Sequence, residues 1–263
     1  GISAWLAGLG GVIWAFSSYF FILIPAGHIW KFVTLAYIPP TIAGVVLAYR
    51  KKYLLGGIVT ALFIALQIQS NHIQMSYYFM FVILFFVGAY FEDAYRKKEL
   101  PHFFKASGVL ALAAVVGVCI NISNLYHTYE YSKETMRGKS ELKQEGAAAS
   151  QTSSGLDRDY ITNWSYGIGE TLTLLVPNVK GGGSGSTMSQ SEAAMAKANP
   201  MYNGIYSQLP QYFGEQPWTA GPVYVGAFVM FLFVLGCFIV KGPLKWALLG
   251  ATIFSILLSW GKN

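Results

Sequence analysis

Ser123-Asn124-Leu125-Tyr126 opens, and Trp218-Thr219-Ala220-Gly221 closes, a polar stretch that interrupts an otherwise apolar chain. Residues 123–221 hold nine of the twelve acidic residues and seven of the eighteen basic ones. The other three acids, Glu92, Asp93 and Glu99, share one short segment, so no Asp or Glu falls inside an apolar run. The pattern is that of a polar domain carried on one face of a membrane scaffold.

Seven apolar stretches surround it: 4–24, 32–49, 54–69, 76–91 and 106–122 before the polar segment, 222–240 and 246–260 after it. A span needs roughly 20 residues, so 54–69 and 76–91 are short and read as a hairpin with its polar tip at 70–78. The expected fold is all-α and integral to the membrane, with about seven transmembrane helices and a large extracytoplasmic loop. The expected domains are a five-span bundle (1–122), the loop (123–221) and two further spans (222–263).

Composition agrees. The chain of 263 residues is 54% hydrophobic and 11% charged, whereas soluble proteins carry about 25% charged residues. The net charge of +6 does not indicate nucleic acid, because the cations gather at the ends of apolar stretches, as topogenic signals do. Arg50-Lys51-Lys52, Arg96-Lys97-Lys98, Lys105, Lys241 and Lys245 lie on one side, and among the short loops of the other side only Lys31 and Lys262 are basic. The basic side is read as cytoplasmic, which places the polar segment outside. Cys119 and Cys237 lie in apolar stretches and read as packing residues. The chain starts at Gly1 with no Met and no basic leader, and reads as part of a longer protein.

This topology collects the chemically interesting residues on the outer face. His28 and His72, both at the boundary, are candidate metal ligands with Glu170, and Glu170 and His72 are the candidate catalytic pair. Lys31, Arg137 and Lys262 are candidate phosphate contacts. Asn71, Gln74 and Trp218 are candidate sugar contacts, since amides and aromatic rings suit a hydroxyl-rich ligand, and Tyr78 and Glu215 are further candidate substrate contacts. Residues 67, 71, 74 and 78 have the spacing of one helical face. Within the polar segment, 124–144 reads as a helix, 146–155 as a tether, and the Gly/Ser/Ala-rich 181–199 as mobile. Gly181-Gly182-Gly183-Ser184-Gly185 lacks phosphate-loop spacing, and neither Gly-x-Ser-x-Gly nor His-Glu-x-x-His occurs.

Several motifs, taken together, resemble the YfhO-like bacterial membrane proteins of Bacteroidetes type. They are Ala26-Gly27-His28 with Lys31, Asn71-His72-Ile73-Gln74 with Tyr77-Tyr78, and Thr135-Met136-Arg137-Gly138. Trp164-Ser165-Tyr166-Gly167 with Glu170, Phe213-Gly214-Glu215-Gln216-Pro217-Trp218 and Trp260-Gly261-Lys262-Asn263 complete the set. That family is similar to the GT-C glycosyltransferases. The resemblance implies a bacterial cytoplasmic-membrane enzyme that takes a sugar from a polyprenyl-phosphate donor. The acceptor would be a lipid, a surface polymer or a protein on the extracytoplasmic face. It implies inversion, a carboxylate base and a divalent cation, magnesium or manganese. In GT-C enzymes the catalytic acid lies in the first outer loop, which this chain is expected to lack. A transporter or flippase for lipid-linked glycans and a non-catalytic scaffold are the alternative readings, and the lack of intramembrane carboxylates counts against the transporter.

Overall fold

The computed structural model describes residues 3–135, 156, 158–221 and 223–263. Among them the architecture is helical, without a β-strand. In chain order the helices are α1 (Ala4–Ala15), α2 (Ser18–Leu23), α3 (Ile29–Ala36), α4 (Ile38–Tyr49), α5 (Tyr53–Gln69), α6 (Ile73–Lys97) and α7 (Leu100–Ile120). There follow α8 (Ile122–Lys133), α9 (Arg158–Thr162), α10 (Glu192–Met195), α11 (Asn203–Tyr206), α12 (Ala227–Ile239) and α13 (Pro243–Trp260).

Five segments are long and apolar enough to cross a membrane: Ala4–Leu23, Ile29–Tyr49, Ile73–Lys97, Leu100–Ile120 and Pro243–Trp260. Their sides carry large apolar residues to the surface, among them Leu9, Leu84 and Leu112, each more than half exposed, which suits a lipid surround. Two expected spans form shorter helices. The 17 residues of α5 and 13 of α12 reach about 25 and 20 Å at 1.5 Å per residue, under the roughly 30 Å hydrocarbon core. Gly226, with φ of 110°, stands at the N-cap of α12, so residues 223–226 are not helical.

Two helices extend beyond their apolar runs for local reasons. Helix α6 continues to Lys97 through i,i+4 pairs, Glu92 with Arg96 and Asp93 with Lys97, and stops at a left-handed Lys98 (φ 59°). Helix α7 starts early, at Leu100, because Pro101 occupies its first turn, where a missing N–H costs nothing. Between α3 and α4 the helix breaks at Tyr37, with Pro39 again in the first turn.

The chain packs into two compact units, a division that does not follow hydropathy. The first comprises Gly1–Ile29, Asn163–Val240 and Ile253–Asn263, and the second Trp30–Thr162 and Lys241–Thr252.

In the second unit α4 and α5 cross with their backbones nearly touching. A Cβ on Gly56 would lie 2.8 Å from both the Ala48 Cα and the Gly44 carbonyl oxygen, and one on Gly44 would lie 2.8 Å from the Thr60 nitrogen. Small residues four apart on both helices, Gly44/Ala48 and Gly56/Thr60, permit this approach, which substitutes for the hydrophobic effect where the solvent is lipid. Buried hydroxyls and two side-chain amides add interhelical bonds. Gln67 donates to Thr41 at 2.7 Å, Thr34 and Ser70 share a hydrogen at 2.5 Å, and Asn121 donates to the Ala65 carbonyl at 2.9 Å.

The expected 67–71–74–78 face does not form. Helix α5 ends at Gln69, Asn71 is left-handed (φ 56°) and α6 begins at Ile73, so Gln67 is buried while Asn71, Gln74 and Tyr78 are exposed. The α5–α6 hairpin itself is present. Of the expected helix over 124–144, the described part ends at Lys133, and the tether at 146–155 lies outside the described residues.

In the first unit the start of the Gly-rich segment is paired with a later stretch of the chain. Residues 180–188 run antiparallel to 209–213, bridged at Gly181–Tyr212 and Thr187–Pro210. Phe213 donates to the Lys180 carbonyl at 2.8 Å, Met188 to Leu209 at 2.8 Å and Gln211 to Ser186 at 2.8 Å. Gly181 is required there: its φ is 83°, and the Gln211 carbonyl occupies the place a Cβ would take. The glycines serve a close backbone approach rather than freedom.

Candidate functional site

In the first unit three of the quoted motifs meet. Trp164–Thr171 supplies the centre, Tyr212–Trp218 packs on it, and Trp260–Asn263 closes one side. Glu170 sits in the middle, 1% exposed. It lies in a 3-10 turn, Ile168–Leu174, and its Oε2 accepts from the Gly167 N–H at 2.6 Å. That bond satisfies one of the free amides at the turn's start, the usual work of an acidic residue three positions in. Its other oxygen, Oε1, accepts from the Tyr212 hydroxyl. The same hydroxyl accepts from the Gln216 N–H at 3.0 Å.

A charge this deeply buried persists only if it is hydrogen-bonded, and the neighbouring chain is shaped to bond it. Burial first, and then the bond to Glu170, raise the Tyr212 pKa well above the ordinary tyrosine value, so its hydroxyl remains a donor. Tyr166 is raised likewise, by burial first and by the Glu170 charge next. Gly214 passes so close that a Cβ would collide with both the Tyr212 hydroxyl and Glu170 Oε1.

The remaining segments are pinned to the same centre. Gln216 Nε2 donates to the Trp164 carbonyl at 3.1 Å, and the Tyr166 N–H donates to Ser259 at 2.8 Å. Trp260 Nε1 donates to Thr171 Oγ1 at 2.8 Å. The Lys262 N–H donates to Ser165 Oγ at 3.2 Å, and Asn263 Nδ2 donates to the Tyr166 carbonyl at 3.0 Å.

Three expected site residues stand on this frame with their side chains outward. Glu215 is exposed, and its Oε1 lies 2.8 Å from where a Gly167 Cβ would be. Trp218 is 89% exposed on a left-handed backbone (φ 52°), and Lys262 is exposed one residue from the chain's end. The result is a carboxylate, an indole face and an ammonium carried on one braced platform. Glu170 serves as its brace. With both oxygens committed and almost no exposure, it is poorly placed to exchange a proton with a substrate.

The other expected residues fall elsewhere. His28 is exposed in the turn after α2, its N–H bonded to the Leu23 carbonyl at 3.0 Å. Lys31 is half-buried on α3. In the second unit Asn71 Oδ1 accepts from Thr128 at 3.3 Å, His72 occupies the N-cap of α6, and Gln74 and Tyr78 are exposed on its first turns. Arg137 lies outside the described residues. Among the described residues no group of three or more His, Cys, Asp or Glu could hold a metal ion. His28 and Glu170 lie in the first unit and His72 in the second, and Glu170 has already given its oxygens to Gly167 and Tyr212.

Sequence reasoning missed Tyr212, Tyr166, Ser165 and Thr171. The motif Trp164-Ser165-Tyr166-Gly167 was a visible signal, but nothing in it tells which hydroxyl meets which carboxylate. No family model matches the chain, and no curated protein or solved structure matches it.

Proposed function

We propose that this chain belongs to a membrane glycosyltransferase. It would move a sugar from a polyprenyl-phosphate donor to a lipid, polymer or protein acceptor at the extracytoplasmic face of a bacterial cytoplasmic membrane. The observation that carries the reading is the braced platform, which presents Glu215, Trp218 and Lys262 to solvent around a buried Glu170. Support for a membrane setting comes from the five apolar segments and two shorter apolar helices, and the seven-span GT-C-like arrangement is part of the proposal.

The roles follow from chemistry. Lys262 is a point charge suited to the donor phosphate. Trp218 offers an aromatic face to a sugar ring. Glu215, exposed to solvent, takes the proton from the acceptor hydroxyl as that hydroxyl's oxygen bonds to the anomeric carbon. The bond from that carbon to the phosphate oxygen breaks, and polyprenyl phosphate leaves with the electron pair. One displacement inverts the anomeric centre. Glu170 and Tyr212 hold the geometry and take no proton.

The test uses purified protein in lipid with radiolabelled polyprenyl-phosphate hexose and native membrane lipids. Label should move to a new lipid or polymer. Glu215→Gln should lower transfer at least a hundredfold at normal abundance of folded protein, since general-base loss costs about 10²–10⁴. Transfer at the wild-type rate in that variant removes Glu215 from the reaction. An intact donor across several sugars removes the activity itself.

A further inference from the structure

In the second unit the cations of the sequence gather at one set of helix ends. The helix ends there enclose an open cavity of about 470 Å³. Tyr49, Arg50 and Lys51 come from the end of α4, Tyr90, Asp93 and Lys97 from the end of α6, and Glu99, His102 and Phe103 from the start of α7. A second hollow of about 220 Å³ shares Tyr90 and Asp93 with it and adds Lys241 and Leu244.

Four cations thus line the pair of hollows against two carboxylates. Lys51 is paired with Glu99 at 3.1 Å and Lys97 with Asp93 at 2.7 Å. Arg50 and Lys241 have no ion pair among the described residues. The floor is rigid: the Tyr49 and Tyr90 rings stack at 4.2 Å, and His102 is held by Tyr53 at Nδ1 (2.6 Å) and by the Tyr49 carbonyl at Nε2 (2.8 Å). Phe103 connects the floor to the outside. It meets Phe91 and Phe104 edge-on, each at 5.4 Å, and both rings, with Tyr95, are exposed on the flanks of α6 and α7. An excess of two positive charges therefore stands at the ends of three membrane-length segments, beside an exposed aromatic surface.

We propose that this pair of hollows binds the phosphate of an anionic phospholipid, with the acyl chains lying on the aromatic flank. The unpaired Arg50 and Lys241 take the phosphate oxygens, Arg50 with its planar fork. A basic hollow between helix ends at a membrane boundary meets lipid headgroups at high local concentration. The exposed Phe91, Tyr95 and Phe104 favour a ligand with a tail over a free anion. This site is independent of the transfer chemistry proposed above.

Native mass spectrometry of the purified protein in detergent, titrated with phosphatidylglycerol or phosphatidylcholine, tests it. Phosphatidylglycerol should be retained at least tenfold more tightly than phosphatidylcholine. Arg50→Gln with Lys241→Gln should abolish that preference, whereas Lys52→Gln, a neighbouring cation outside the cavity, should keep it. Lys241→Gln alone, farther from the α4–α7 core, should give an intermediate loss and guards against misfolding of the double variant. Equal retention of the two lipids, or an undiminished preference in the double variant, overturns the proposal. Displacement of the lipid by millimolar inorganic phosphate, or by a soluble nucleotide, overturns the lipid assignment in favour of a free anion.

Discussion

Replacing Tyr212 with Phe removes one oxygen from the centre of the platform and leaves the ring. The hydroxyl donates to Glu170 Oε1 and accepts from the Gln216 N–H at 3.0 Å, so two groups lose a partner. Glu170 is 1% exposed and cannot rewet. A hydrogen bond to a buried charge is worth about 1.5–3 kcal/mol. The Gln216 amide, half-buried, can find water, which adds less than about 1 kcal/mol. The expected loss is about 2–4 kcal/mol, or roughly 5–15 °C in unfolding midpoint for a chain of this size. Thermal unfolding in a fixed detergent, with hydrogen exchange of residues 164–175, reads both the global cost and the loosened Gly167 amide. A double-mutant cycle with Glu170→Gln should show coupling above about 1 kcal/mol, because the groups touch. The pH dependence has a definite sign. Tyr212 binds its proton more tightly folded than unfolded, so its contribution is whole below the ordinary tyrosine value of about 10 and is lost as pH rises beyond it. Tyr166 acts in the same direction and remains in the variant. The wild type should therefore lose stability above pH 10 more steeply than Tyr212→Phe. Equal midpoints at neutral pH, or parallel alkaline profiles, refute the reasoning.

Two contrasts and one single substitution extend the argument. Gly214→Ala should cost more than about 2 kcal/mol, since its Cβ falls on both the Tyr212 hydroxyl and Glu170. Gly167→Ala meets chiefly the exposed Glu215 carboxylate and should lower transfer more than stability; a comparison of unfolding midpoints and transfer rates decides. Gly56→Ala drives a Cβ into the α4 backbone and should cost about 3 kcal/mol or more, while the adjacent Gly57→Ala, facing only a Val109 methyl, should stay within about 1 kcal/mol. Equal yields of folded protein from those two variants would contradict the crossing described for α4 and α5. Trp260→Phe loses the bond to Thr171 and should lower stability by about 1 kcal/mol, measured by the same unfolding assay.

Much of the helical plan was legible because apolar run length is a direct consequence of membrane thickness. Helix ends were less so. The run stops near Phe91, yet α6 continues on two ion pairs whose effect is local and electrostatic. The face proposed for 67–78 failed because one left-handed residue, Asn71, cancels a periodicity that spacing alone assumes continuous. Glycine content hid the close approach at Gly181, since the same residue serves freedom and close approach, and only the partner stretch shows which. At the site, Glu215, Trp218 and Lys262 were named from residue type, and all three are exposed on segments of the first unit. Glu170 was named too, but its role as a brace depends on Tyr212, 42 residues away, and no local pattern encodes that pairing.

The same pairing couples two parts of the first unit. The carboxylate of Glu170 accepts from Gly167 and Tyr212, and Tyr212 lies in the 209–213 stretch that pairs with 180–188. Withdrawing 209–213 from that pairing carries the Tyr212 hydroxyl away from Glu170 and leaves a buried oxygen without its donor. A change in the Gly-rich stretch, distant in sequence, is therefore felt at the carboxylate.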